Sequence, residues 1–409
     1  MRAAPVRYLF IHQNFPGQYL HLVRRLAERG EGEIVFLSEP NANHLPGVRK
    51  VAYRAPRAVS PETHEDVREF DAQARRAAAA AAAAQRLKAL GFTPDIVIGH
   101  HGWGELLNIP DVFPDAPVLG YFEFFYQTSG ADVGFDPEFP VAPELFARIR
   151  MKNAVNLLAL AQGGQGQTPT AWQRSTYPAW ARRQIAIVPE GVDVERSRTG
   201  ATGGGGKWDA AALAPGGKLV TYVARDLEPY RGFHIMMRAI PRLLAARPDL
   251  EVAIVGADGV SYGAPPPRGT WRSTLLAELG SRIDPHRVHF LGRLDHESFL
   301  GLLRRSDAHV YLTYPFVASW SLREALAVGC ALVASDTAPV REFVRHGRNG
   351  LLTPFHDPAA LAGRVLELLE DAALAARLRA GARAFATRHL SLEGHLAAFS
   401  AMIERLAAR

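Results

Sequence analysis

The stretch SDAHVYLTYPFVASWSLREALAVGCALVAS, Ser306 to Ser335, decides the fold. AHVYLTY reads as a short buried strand, PFVASW as a polar turn bearing aromatics, SLREALAVG as a helix and ALVAS as a second strand. A strand, helix and strand in so few residues form a parallel crossover unit. In the turn, the backbone N–H groups of Ser319, Trp320 and Ser321 fall at a helix start, an arrangement that attracts anions. Ser319 or Ser321 is placed to cap that helix. Glu324 lies about one turn in, where a carboxylate accepts two hydroxyls such as those of a ribose. Read blandly, the same Glu only steadies the helix dipole. Cys330, the chain's single cysteine, reads as a small buried residue after the helix, and one cysteine allows neither an internal disulfide nor a multi-cysteine metal site.

The same alternation extends in both directions. KLVTYVA, EVAIVG and RVHFLG are further strands separated by helical segments. After the first of them comes RDLEPYRGFHIMMRAI, with Arg225 just past a strand and Arg231–Gly232 leading into a helix. Two guanidiniums beside a helix start suit a diphosphate; as isolated features they are equally well two solvated arginines. In the N-terminal half, VRYLFI, EIVFL, DIVIG and APVLGYF read as strands. YLHLVRRLAERG is a helix with Leu22, Val23 and Leu26 on one face, and Ala77–Ala84 is helical because alanine is the best helix former. A chain of 409 residues exceeds one core. The expected organisation is an N-terminal Rossmann-like, acceptor-binding domain (1–195) and a flexible Gly-rich linker (196–217, with Gly203–Gly206). A C-terminal Rossmann-like domain binding nucleotide sugar (218–392) follows. A C-terminal helix (393–409), with Leu396, Phe399, Ile403 and Leu406 on one face, is expected to pack back on the first domain. The fold class is α/β, two doubly wound domains facing across a cleft where ligands bind at the carboxyl ends of the strands.

Taken together, VARDLEPYRGF, the Ser306–Ser335 stretch and RNGLL resemble the nucleotide-sugar half of retaining glycosyltransferases of family 4, which have the GT-B architecture. That family usually carries a Glu, seven residues and a second Glu, followed by a run like EALAVGCALVA. Here Glu324 takes the second position, and Phe316, eight residues earlier, stands where the first carboxylate is usual. The resemblance implies that Glu324 binds the nucleotide ribose and that Arg225 and Arg231 hold the diphosphate, with Gly17, Gly292, Arg293, Ser319, Trp320 and Ser321 joining the donor site. It also implies that Phe316 changes the sugar-facing wall, because the usual Glu contacts donor-sugar hydroxyls. Retaining enzymes of this fold have no agreed enzymic nucleophile; charge stabilisation of the departing diphosphate is the favoured device. No metal or other cofactor is therefore expected, the nucleotide-diphosphate sugar being a substrate. Gly191–Asp193 matches the family's interdomain G-V-D.

FIHQNFPGQYLHL resembles the start of a bacterial subgroup of the same family. Gly17 permits close backbone approach, and His12 and Gln18 flank it as acceptor contacts. PDIVIGHHGWGELL sets His100 and His101 just past a strand; adjacent side chains on extended backbone point to opposite faces, and both stay candidates for contacting a sugar or relaying a proton. Trp103 and the acids of YFEFFYQTSGADVGFDPEFP, Glu123, Asp132 and Asp136 with Glu138, are placed at the acceptor, since rings stack on sugars and carboxylates bind hydroxyls; Arg148 is a partner for those acids.

The net charge of +6 is carried by scattered basic residues, which suits anionic ligands or a loose contact with acidic membrane surfaces but forms no nucleic-acid stripe. The N-terminus shows no signal-peptide pattern and no run is long enough to span a membrane, so a cytoplasmic place is expected, peripheral to the inner membrane where the acceptor demands it. The leading expectation is a metal-independent hexosyl transfer, with retention, from a nucleotide-diphosphate sugar to a hydroxyl acceptor. A nucleotide-sugar epimerase or hydrolase on the same scaffold and a non-catalytic sugar-nucleotide-binding protein are the rivals.

Overall fold

The computed structural model describes residues 5–30, 32–54, 56–200 and 213–407. The Gly203–Gly206 tract lies outside them. Two compact units emerge: Met1–Gly134 with Phe139–Pro189 and His395–Arg409, and Phe135–Glu138 with Glu190–Gly394.

The first unit holds seven strands: β1 (Val6–Ile11), β2 (Gly32–Ser38), β3 (Arg49–Ala52), β4 (Ile96–His100), β5 (Val118–Tyr121), β6 (Gln165–Thr168) and β7 (Ile185–Ile187). They lie in the order β3-β2-β1-β4-β5-β6-β7, and every pairing is parallel. Parallel sheets are covered on both faces, so their strands are apolar almost throughout; all five residues of β4 are buried. The alanine tract sits inside the Arg68–Ala89 helix and buries Ala77, Ala80, Ala81, Ala83 and Ala84. The Leu392–Ala407 helix buries Leu396, Phe399, Ile403 and Leu406, and its residues from His395 onward group with this unit.

The second unit has β8 (Lys218–Asp226), β9 (Leu250–Ala257), β10 (Val288–Gly292), β11 (Ala308–Tyr311), β12 (Leu332–Ser335) and β13 (Leu351–Thr353), ordered β10-β9-β8-β11-β12-β13 and again parallel. The Ser306–Ser335 stretch is β11, a turn, the Trp320–Val328 helix and β12. Gly329 ends that helix in the left-handed region (φ 84°), the usual glycine stop.

Both sheets reverse their winding once: between β1 and β4 in the first unit, and between β8 and β11 in the second. In open α/β sheets such a switch point opens a crevice at the carboxyl ends of the two strands. The candidate residues cluster at these two places.

Candidate active site

At the second unit's switch point, β8 carries a register irregularity between Val223 and Asp226. Arg225 therefore lies within the end of the strand rather than past it. It is exposed and has no ion pair among the described residues. Arg231 is different, being buried. Its Nη1 donates to Thr313 Oγ1 (2.8 Å) and to the Val317 carbonyl (3.0 Å), which fixes the turn after β11. Arg323, also buried, holds the same turn from the other side: its Nη1 donates to the Ala318 carbonyl (3.0 Å) and its Nη2 pairs with Glu190 (3.0 Å).

The turn itself departs from expectation at two residues. Ser319 is the N-cap of the helix by position, but its hydroxyl bonds Ser321 Oγ (2.6 Å) and caps nothing. Its N–H is given to the Tyr311 hydroxyl (2.8 Å), so that amide is not held open for an anion. Phe316 does not line an open wall; it is 5% exposed and packs against Tyr230 (5.3 Å) and Tyr262 (5.0 Å). Trp320 is exposed. Glu324 keeps one oxygen on His296 Nε2 (2.6 Å), a contact that raises the histidine's pKa. Arg293 reaches Asp226 Oδ1 (3.3 Å) from the end of β10, where Gly292 takes a positive φ of 66°. Sequence reasoning passed over His296, Asp226 and Glu228. Glu228 was visible within RDLEPYRGF, yet only the fold shows that its carboxylate is buried.

At the first unit's switch point, His12 follows β1 and His100 ends β4, with ring centroids 6.1 Å apart. Gly102 N–H donates to His100 Nδ1 (2.9 Å), so the neutral ring carries its proton on Nε2, which lies 3.5 Å from Glu123 Oε2. His12 Nδ1 lies 3.0 Å from both the N–H and the carbonyl of Asn14; burial, then the neighbouring His100, pushes its pKa down to about 4. Gly17 (φ 55°) is irreplaceable for a plain reason: a Cβ there would stand 2.8 Å from His12 Nδ1. Gln18 is half-buried beside it. Trp103, exposed, lies 5.8 Å from the His100 ring.

Three expected contacts are corrected. His101 points into the core against Phe122 (4.6 Å), with neither ring nitrogen hydrogen-bonded and a pKa driven by burial down to about 3, so it is no proton relay. Asp132 is buried away from solvent. Asp136 is buried too, and packs with the second unit: Tyr314 donates to its Oδ2 (2.8 Å), His234 Nε2 lies 3.0 Å from the same oxygen, and the Glu138 N–H donates to Oδ1 (3.0 Å). Glu138 takes a two-pronged contact from Arg238 (2.6 and 2.7 Å), not from Arg148. Asp136, Glu138 and His234 are close enough to hold a cation, but these partners already take up their oxygens.

Residues 30–197 match the family model described as "Glycosyl transferase family 4 group", and residues 207–385 match "Glycosyl transferases group 1". The chain belongs to the family-4-like glycosyltransferases. Glycogen synthase of Mycobacterium tuberculosis is 30% identical over 202 residues, 49% of this chain and 43% of that protein. The phosphatidyl-myo-inositol mannosyltransferase of Mycolicibacterium smegmatis is 31% identical over 202 residues, 47% of this chain and 44% of its own length. D-inositol 3-phosphate glycosyltransferase of Nocardia farcinica is 32% identical over 235 residues, 54% and 48% respectively. This family-4-like chain thus spans about half the length of the curated relatives it matches. Its fold is that of sucrose-phosphate synthase from Thermosynechococcus elongatus (TM-score 0.72, 19% identity, 98% of this chain and 99% of that one). Anabaena HepE, solved in complex with UDP, matches at TM-score 0.67 and 16% identity over 98% and 99% of the two chains. Both Rossmann-like units have the GT-B fold of these neighbours.

Proposed function

We propose that this chain transfers a sugar, with retention, from a nucleotide-diphosphate sugar to a hydroxyl acceptor. The carrying observation is the content of the second unit's switch point: an exposed arginine with no ion pair among the described residues at the end of β8, a buried one after it, and a carboxylate on the helix after β11. In this reading Arg225 and Arg231 take the charge that develops on the departing diphosphate, and Glu324 accepts the ribose hydroxyls through the oxygen His296 leaves open. Arg293 and Gly292 border the donor. The first unit binds the acceptor, with Trp103 as a stacking face, His12 and His100 as ring-nitrogen contacts and Glu123 as an acceptor for hydroxyl protons. Arginine charge serves where other enzymes use Mg²⁺, so activity should survive EDTA. No helix among the described residues is long and apolar enough to cross a membrane; the proposed place of work is the cytoplasm, on the membrane surface when the acceptor is lipid-linked.

The test is a thermal-shift screen against UDP-, GDP-, ADP- and dTDP-sugars, repeated with Glu324→Ala. One sugar nucleotide should raise the wild-type midpoint by mass action, and the variant should lose that shift. A chain whose midpoint ignores all four would end this reading. Conversion of the responding donor without any acceptor would instead make it an epimerase or hydrolase.

A further inference from the structure

The turn Ser261–Gly263 is held by charges that belong to another element. Glu228, fully buried after β8, accepts three successive backbone N–H groups: Ser261 (3.1 Å), Tyr262 (3.2 Å) and Gly263 (2.8 Å). The Ser261 hydroxyl donates to Asp226. Three amides on one buried carboxylate make a fixed anchor, so the turn's path is set from the end of β8. What the anchor delivers is the ring of Tyr262. That ring lies over the Arg231 guanidinium, 4.9 Å from its centroid, with Phe316 5.9 Å away on the same cation. Arg231 is 7% exposed, whereas Tyr262 is 39% exposed. A cation suited to an oxyanion is thus covered by a ring whose other side faces solvent.

We propose that Tyr262 gates Arg231: a diphosphate reaches the guanidinium only when the ring swings aside, and the Glu228-anchored turn holds it closed. This rests on the reading that Arg231 binds the donor diphosphate. Ligand affinity then falls by the fraction of molecules that are open. Because the ring blocks phosphate and not base, inorganic pyrophosphate must feel the gate as strongly as UDP does.

The experiment is calorimetric titration of UDP and of inorganic pyrophosphate into wild type, Tyr262→Phe, Tyr262→Ala and Arg231→Ala. Tyr262→Ala should bind both ligands about fivefold more tightly, the scale of a partly desolvated cation–π contact that no longer has to be broken. Tyr262→Phe keeps the ring but loses the hydroxyl's contact with Arg231, and should stay nearer to wild type than Tyr262→Ala does. Glu228→Gln turns an NH₂ toward amide donors and should shift affinity in the same direction as Tyr262→Ala, with faster hydrogen exchange at residues 261–263. Unchanged or weaker binding by Tyr262→Ala overturns the gate, and so does absence of binding in both wild type and Tyr262→Ala. If UDP binding weakens while pyrophosphate binding holds, Tyr262 is a stacking platform instead. The Arg231→Ala arm separates the two claims. Loss of binding there, with Tyr262→Ala behaving as wild type, removes the gate and leaves the donor site standing; wild-type affinity in Arg231→Ala removes the donor-site reading itself.

Discussion

Under the proposed function Arg231 combines two jobs, since the guanidinium that would meet the donor also grips Thr313 and the Val317 carbonyl. Arg231→Ala should therefore weaken nucleotide binding at least about tenfold, the scale of a charge-assisted hydrogen bond, and also lower the unfolding midpoint. Arg225→Ala, at an exposed residue, should weaken binding with an unchanged midpoint. Calorimetry and thermal melts on the two variants together check the contrast; equal midpoint losses would refute it. Cys330 gives a cleaner case. It is fully buried and its thiol is pushed up to about 12 by that burial, so it should not react with a thiol reagent until the protein unfolds. Labelling by DTNB at native pH and again in denaturant reads this directly. The sequence showed what Cys330 is because a lone small residue between a helix stop and a strand has few other roles. The sequence did not show what Ser319 does, because capping depends on where its hydroxyl turns, and here that hydroxyl meets Ser321 Oγ instead of a first-turn amide.

Elements carry constraints that no single residue reveals. Gly120 in β5 stands where a Cβ would approach His101 Cδ2 to 2.0 Å. Gly120→Ala should cost about 1–3 kcal/mol through overpacking, seen as a lower urea midpoint with an unchanged slope; a neutral effect would mean that the His101 ring can leave its pocket. Strands with apolar runs, such as VRYLFI and DIVIG, were legible because burial on both faces of a parallel sheet requires such runs. β6 was not, since QGQT has no strand signal: its place is set by neighbours β5 and β7 and by Phe122 lying where a side chain on Gly166 would go, 2.4 Å from such a Cβ. Likewise, DPEF reads as one acidic loop, but Asp136 and Glu138 find His234, Tyr314 and Arg238 about 100 or more positions further along. Pairings so distant in sequence leave no local pattern.

At the scale of the whole molecule, acid is the informative stress. Burial holds His12 and His309 down to about 4 and His101 down to about 3. In the unfolded chain each titrates near its ordinary 6.5. Below about pH 6.5 the unfolded state therefore binds protons that the folded state refuses, so stability falls as pH drops toward 4, by up to about 1.4 kcal/mol per pH unit for each histidine. Glu105 and Glu228, raised by burial, act in the opposite sense. Comparing wild type with His309→Gln isolates the effect: the variant's urea midpoint should fall less between pH 7.5 and pH 5. Parallel pH profiles for the two proteins would contradict the assignment. Two doubly wound sheets could be read from the alternation of strands and helices, and so could the nearness of His100 and Arg225 to strand ends; strand order, which makes two of those ends switch points, could not. The partners that tune them, His296 on Glu324 and Tyr262 on Arg231, come from other strands' connections and appear only once the chain is folded.

The turn after β11 offers one more consequence. Arg231 and Arg323 hold it by the carbonyls of Val317 and Ala318, groups that every residue type supplies. Phe316 and Ala318 on either side are buried, so within the turn only half-buried Val317 is held by its backbone alone. Substitutions at Val317 should keep the backbone while changing the surface beside the proposed donor arginines, which makes this one position the natural place for evolution, or a designer, to change what the protein accepts without rebuilding what holds it.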